Sequence, residues 1–76
     1  MQMISYIVEV FPEFEDMFWE YVYRLNVNPE HQLTVDDEYM EDNRCRFIIT
    51  STLNSYECFL NDTTFPKYLE SIHVFE

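Results

Sequence analysis

The chain has 76 residues, of which fifteen are acidic and four are basic, so its formal net charge is −11 at pH 7. This balance argues against direct binding of nucleic acid, because phosphate contacts are made by Lys and Arg, and equally against an anionic membrane surface. Apolar residues make up 47% of the chain and aromatic residues 18%, which is far from the composition of an acidic disordered segment. We therefore expect one folded domain over residues 1–76.

Residues 3–10 form the first regular pattern. Ile4, Tyr6, Val8 and Val10 fall on one face, with Ser5, Ile7 and Glu9 on the other, and β-branched residues are frequent. A period of two with this composition predicts a β-strand that buries one face.

Residues 12–25 change to a helical period. Pro12 suits the first turn of a helix, and Arg24 suits the last turn, where the helix dipole favours a positive charge. The apolar residues are separated by 3, 1, 3, 1 and 3 positions, which places them on one side of an α-helix; they are Phe14, Met17, Phe18, Tyr21, Val22 and Leu25.

The middle of the chain indicates further strands. His31–Met40 reads as a strand with an acidic end, and Arg44–Thr50 and Ser55–Leu60 read as a hairpin that turns at Ser51–Asn54. In that hairpin both cysteines of the chain would point into the core as small buried apolar residues; they are Cys45 and Cys58.

The C-terminal part offers helix-capping residues before Pro66–Ser71, which we predict to be a short helix, and Ile72–Phe75 is a candidate last strand. The expected order is β-α-β-β-β-α with an optional final β. The predicted fold class is α+β: an antiparallel sheet of three to five strands, one long amphipathic helix on one face, and a short C-terminal helix.

The predicted long helix carries a row of acids opposite its apolar side. Glu13, Asp16 and Glu20 are three and four residues apart, so neighbouring Cβ atoms lie about 5–6 Å apart, a spacing comparable to that of phosphates along one nucleic-acid strand. Trp19 and Tyr23 lie beside them, and these residue types dominate binding hot spots. The alternatives are a solvated helix face for the acids and a covering element for the two aromatics.

A second acidic cluster comprises Asp36, Asp37, Glu38, Glu41 and Asp42. If Asp36 and Glu38 share one face of a strand, they lie about 6.5–7 Å apart, again close to a phosphate repeat. The alternatives are a solvated loop and a site for a hard cation. The cluster lacks the glycine and the spacing of a calcium-binding EF-hand loop.

Catalysis finds little support in the sequence. His31 and His73 are isolated, without the spacing of a ligand pair or of a nucleophile and its base. The chain contains no glycine, which excludes Gly-rich phosphate loops and dinucleotide-binding motifs. We expect no enzyme activity, no cofactor and no bound metal.

The chain resembles small acidic phage-encoded inhibitors that mimic DNA, such as anti-restriction and anti-CRISPR proteins. The resemblance lies in its length, in its excess of fifteen acids over four bases, and in the run DDEYMED beside aromatic residues. The resemblance implies an inhibitor that binds a basic nucleic-acid-binding protein of a host defence system. The alternative is an inhibitor or adaptor that binds mainly through Trp19 and Tyr23, with charge serving solubility.

The N-terminal segment lacks the basic region of a signal peptide, so we expect a cytoplasmic protein. The apolar surplus favours a homodimer and the charge opposes it, which leaves both states open.

Overall fold

The chain folds in the order β-α-β-β-α-β in a computed structural model that describes residues 2–75. A single turn of 3-10 helix, Pro12–Phe14, leads directly into the first α-helix. The strands and helices are β1 (Met3–Val10), α1 (Glu15–Val27), β2 (Leu33–Glu41), β3 (Arg44–Thr52), α2 (Leu53–Asn61) and β4 (Tyr68–Phe75).

The four strands form one sheet in the order β2-β3-β1-β4, and every neighbouring pair is antiparallel. Each helix therefore joins two parallel strands that are separated by a third strand. This element order and strand order define the ferredoxin-like, split βαβ arrangement. The predicted α+β class with an antiparallel sheet is confirmed, and β2 and β4 are the two edges of the sheet.

The core lies between the helices and one face of the sheet. Tyr6 and Val8 of β1 and Phe47 of β3 are fully buried on that face, as are Phe18 of α1 and Phe59 of α2. The Phe18 and Phe47 rings are stacked with their centroids 3.8 Å apart. The face predicted for residues 3–10 is the face that β1 buries, because its register places alternate residues toward the helices.

The predicted helix over residues 12–25 is confirmed and ends two residues later, at Val27. Phe18, Val22 and Leu25 are buried as the spacing predicts. Met17 lies at the margin of the apolar side and is 41% exposed.

The predicted hairpin of Arg44–Thr50 with Ser55–Leu60 is wrong. The strand β3 continues to Thr52, and residues 53–61 form the helix α2. Ser55 and Phe59, which are four residues apart, are both fully buried. The Ser55 hydroxyl accepts a hydrogen bond from the Gln32 backbone N–H at 2.9 Å, so a polar residue occupies a core-facing helical position. Cys58 is consequently exposed instead of buried, whereas Cys45 is buried as predicted.

The predicted helix Pro66–Ser71 is also wrong, because β4 already begins at Tyr68 and continues through the predicted final strand Ile72–Phe75. Residues 68–75 pair with β1, whose second edge would otherwise leave its backbone N–H and C=O groups unsatisfied.

The sheet contains a hairpin at a different place from the predicted one: it joins β2 to β3 through Asp42 and Asn43. Both have positive φ, 52° and 60°, which is the geometry of a tight two-residue hairpin turn.

Candidate interaction surface

All four basic residues are already paired with carboxylates of the same chain. Arg24 pairs with Glu20 on α1, and Lys67 lies 3.5 Å from Asp62. The two remaining bases are on β3, where Arg44 and Arg46 both reach Glu9. Within residues 2–75 no base is left without an internal counter-charge.

The pairs on β3 belong to a cluster on the sheet face that the helices do not cover. Glu9 is only 9% exposed, and its carboxylate contacts Arg44 Nη1 at 3.0 Å and Arg46 Nη2 at 2.7 Å. Arg46 also contacts Glu41 at 3.0 Å and Glu70 at 3.5 Å. The positive charge of β3 is therefore directed to this face and neutralised there.

The carboxylates that remain are unevenly distributed. Residues 2–75 contain fourteen acids, of which five form ion pairs with a base. Glu30 and Glu57 lie apart from the other seven. Those seven occupy the 3-10 turn with the first turn of α1, and the β2 strand with its turn. We call them the acidic edge: Glu13, Glu15, Asp16, Asp36, Asp37, Glu38 and Asp42.

The strand part of the acidic edge lies on β2, whose outer side has no neighbouring strand. A bulge at Asp36 shifts the register, so that Val35 faces Ile49 and Asp37 faces Ile48. Asp36 accepts a hydrogen bond from the Thr50 hydroxyl, whereas Glu38 lies opposite the core residue Phe47. The expectation that Asp36 and Glu38 share one face of a regular strand is therefore wrong, because Asp36 is itself the extra, unpaired residue of the bulge.

The two parts of the acidic edge meet at a cleft of about 290 Å³ between α1 and β2. Glu15 from the helix and Glu38 from the strand both line this cleft, together with Met40 and Cys45. The Cys45 thiol lies 3.8 Å from a Glu15 carboxylate oxygen. Burial, and after it the Glu15 charge, raises the pKa of Cys45, so the thiol stays protonated beside the carboxylates.

The two aromatic residues of α1 differ in their surroundings. Trp19 packs its ring edge-to-face against Phe47, with centroids 5.6 Å apart, and its Nε1–H donates to Glu15 at 3.3 Å. It remains 37% exposed, so it closes the core and also borders the acidic edge. Tyr23, one turn further along α1, is 74% exposed.

All ten residues predicted to bind a partner are exposed, but the structure separates them into groups. Glu20 and Glu41 are paired with Arg24 and Arg46, so their charge is largely compensated. The remaining six predicted acids belong to the acidic edge. Sequence reasoning missed Glu15, although its position four residues before Trp19 in the first turn of α1 is the signal that could have identified it.

Comparison of the chain with models of protein families, with curated protein sequences and with solved structures finds no match. Over residues 2–75, no three His, Cys, Asp or Glu side chains come together as metal ligands would. None of the helices described for this part of the chain is long and apolar enough to cross a membrane.

Proposed function

We propose that this protein is a non-enzymatic inhibitor whose acidic edge occupies a basic, nucleic-acid-binding surface of a protein from a host defence system such as restriction or CRISPR. One observation carries the proposal. All four bases are paired with carboxylates of the same chain, while seven carboxylates without an ion pair lie at the start of the first helical segment and along β2 with its turn. A surface of this kind attracts a basic partner from a distance and increases the rate of association.

The acidic edge combines carboxylates from two kinds of backbone, the strand β2 and the first turn of α1. Because Asp36 contacts Thr50 at the bulge, while Asp37 lies opposite Ile48 and Glu38 opposite the core residue Phe47, these carboxylates are distributed over both faces of β2. The first turn of α1 adds Glu15 and Asp16 beside them. A cluster of carboxylates presents negative charge to a groove lined by the Lys and Arg side chains that contact phosphates.

A second mode of binding is favoured by the exposure of Tyr23. A tyrosine that is 74% exposed on a rigid helix is a suitable anchor for an apolar partner surface. Trp19 suits this role less, because its ring is already packed against Phe47. In this mode added salt changes the affinity little, whereas binding through the acidic edge weakens as salt screens the charges.

The chain offers a matched pair of variants that separates the position of charge from its amount. Asp37→Asn with Glu38→Gln removes two charges from the acidic edge. Glu30→Gln with Glu57→Gln removes two charges from elsewhere, and none of these four carboxylates forms an ion pair within residues 2–75. The net charge of the two double variants is therefore identical.

The assay measures displacement of a fluorescent DNA duplex from each member of a panel of restriction endonucleases and guide-RNA nucleases. We expect the wild-type protein to displace the duplex from a member of the panel. The Asp37/Glu38 variant should lose about tenfold in affinity, which corresponds to about 1.4 kcal/mol, and the Glu30/Glu57 variant should stay within about twofold. Equal losses in the two variants would show that only bulk charge matters and would reject the acidic edge as the binding site.

A further inference from the structure

The two edges of the sheet have opposite characters. The acidic edge includes β2, whereas β4 at the other edge carries a single charged side chain within residues 68–75, Glu70. Glu70 is directed to Arg46 on the uncovered sheet face, where the two charged groups lie 3.5 Å apart. The outer side of β4 is therefore almost free of charge.

The β4 strand also exposes apolar surface and unpaired backbone. Tyr68 is 51% exposed, Leu69 is 40% exposed and Ile72 is 47% exposed. Because β4 pairs only with β1, half of its backbone N–H and C=O groups point away from the sheet. Lys side chains and internal Pro residues, which commonly protect sheet edges, are missing from residues 68–75. A bulge lies near Glu70, and beyond it Ser71–Phe75 pair with β1 in regular register.

The charge distribution determines which partner fits this edge. A basic protein is drawn to the acidic edge, and the strand order β2-β3-β1-β4 places β4 three strand spacings away, about 14 Å across the sheet. A second copy of the chain carries the same charge of −11 and can approach closely only where carboxylates are few. Antiparallel pairing of β4 with itself meets this requirement, because a two-fold axis makes any such pairing self-complementary.

We propose that two copies of this protein associate through antiparallel pairing of their β4 strands, which forms one continuous eight-stranded sheet. The contact satisfies the outward backbone groups of both strands and covers Leu69 and Ile72. It leaves an acidic edge at each end of the sheet, so the dimer presents two binding surfaces that face away from each other. An eight-residue strand is about 26 Å long, and a contact confined to it is small, so the dimer should dissociate on dilution.

Sedimentation velocity over a range of protein concentrations tests the proposal. We expect the wild-type chain to shift from monomer to dimer as its concentration rises, and Ile72→Lys to remain a monomer because a charged lysine replaces an apolar side chain that the contact would cover. Val27→Lys is the matched control: Val27 is 69% exposed at the end of α1, so the same charge is added away from β4 and dimerisation should persist. Circular dichroism establishes that each variant is folded.

Hydrogen exchange of the wild-type protein gives a second measurement that needs no variant. Amides of residues 68–75 should exchange more slowly at high protein concentration, whereas amides of residues 33–41 should show no such change. A wild-type chain that stays monomeric at millimolar concentration would overturn the proposal. So would a dimer that survives Ile72→Lys, or one whose protection appears on β2. None of these outcomes depends on whether the acidic edge binds a defence protein.

Discussion

The carboxylate of Glu9 offers the sharpest test of how the fold accommodates its charge. Glu9 is 9% exposed and contacts two guanidinium groups, at 2.7 Å and 3.0 Å. The variant Glu9→Gln keeps the shape of the side chain but removes its charge. A hydrogen bond to a charged group contributes about 1.5–3 kcal/mol, and neutralising Glu9 weakens two of them while Arg44 and Arg46 keep their charge. We expect the free energy of unfolding to fall by about 2–3 kcal/mol.

Urea unfolding at neutral pH, followed by the fluorescence of the single tryptophan, Trp19, measures this change. Glu70→Gln is the control, because Glu70 contacts the same Arg46 but at 3.5 Å and with its side chain 39% exposed. Because Glu70 is partly exposed and its contact is long, removing its charge should cost less than about 1 kcal/mol. The loss for Glu9→Gln should persist in high salt, whereas any loss for Glu70→Gln should shrink. If the two variants lose the same stability, the central role assigned to Glu9 is wrong.

Three further predictions concern the core and the surface. Burial raises the pKa of Tyr6 from 10 to about 12. The unfolded form ionises first, so Tyr6 contributes stability that is present below about pH 10 and falls by about 2 kcal/mol by about pH 11.5. Urea titrations of Tyr6→Phe should show a fall that is smaller by this amount, because burial also raises the pKa of Tyr21, which remains in the variant. Trp19→Ala should cost about 2 kcal/mol in urea unfolding because the ring packs on the core, whereas Tyr23→Ala, which removes an exposed side chain, should cost less than about 0.5 kcal/mol. A thiol reagent followed by mass spectrometry should label exposed Cys58 rapidly and buried Cys45 slowly, since burial also raises the pKa of Cys45; equal labelling rates would contradict this packing.

The first half of the fold could be predicted because its hydrophobic periods are unambiguous. Alternating residues of β1 face the helices, and the apolar side of α1 faces the sheet. The segment 53–61 was misread because Tyr56, Cys58 and Leu60 alternate like a strand, while the helical pair that the core uses is Ser55 and Phe59. A buried serine carries no hydrophobic signal, and its hydrogen bond to Gln32 depends on tertiary structure.

The candidate surface could be predicted only in part. The acids on β2 are evident from the sequence, but the bulge at Asp36 depends on pairing with β3 and changes which residues share a face. The approach of Glu15 to Glu38 likewise depends on how α1 packs across the sheet. The neutralisation of Arg44 and Arg46 follows from strand register, which local sequence patterns do not specify.

Uncompensated negative charge should be concentrated at the acidic edge. Paramagnetic relaxation by a pair of small nitroxides, one cationic and one anionic, measures the local electrostatic potential at each backbone amide. The ratio of cationic to anionic enhancement should be highest for amides of residues 13–16 and 36–42 and clearly lower for residues 68–75. A ratio that is uniform over the whole surface would contradict the account.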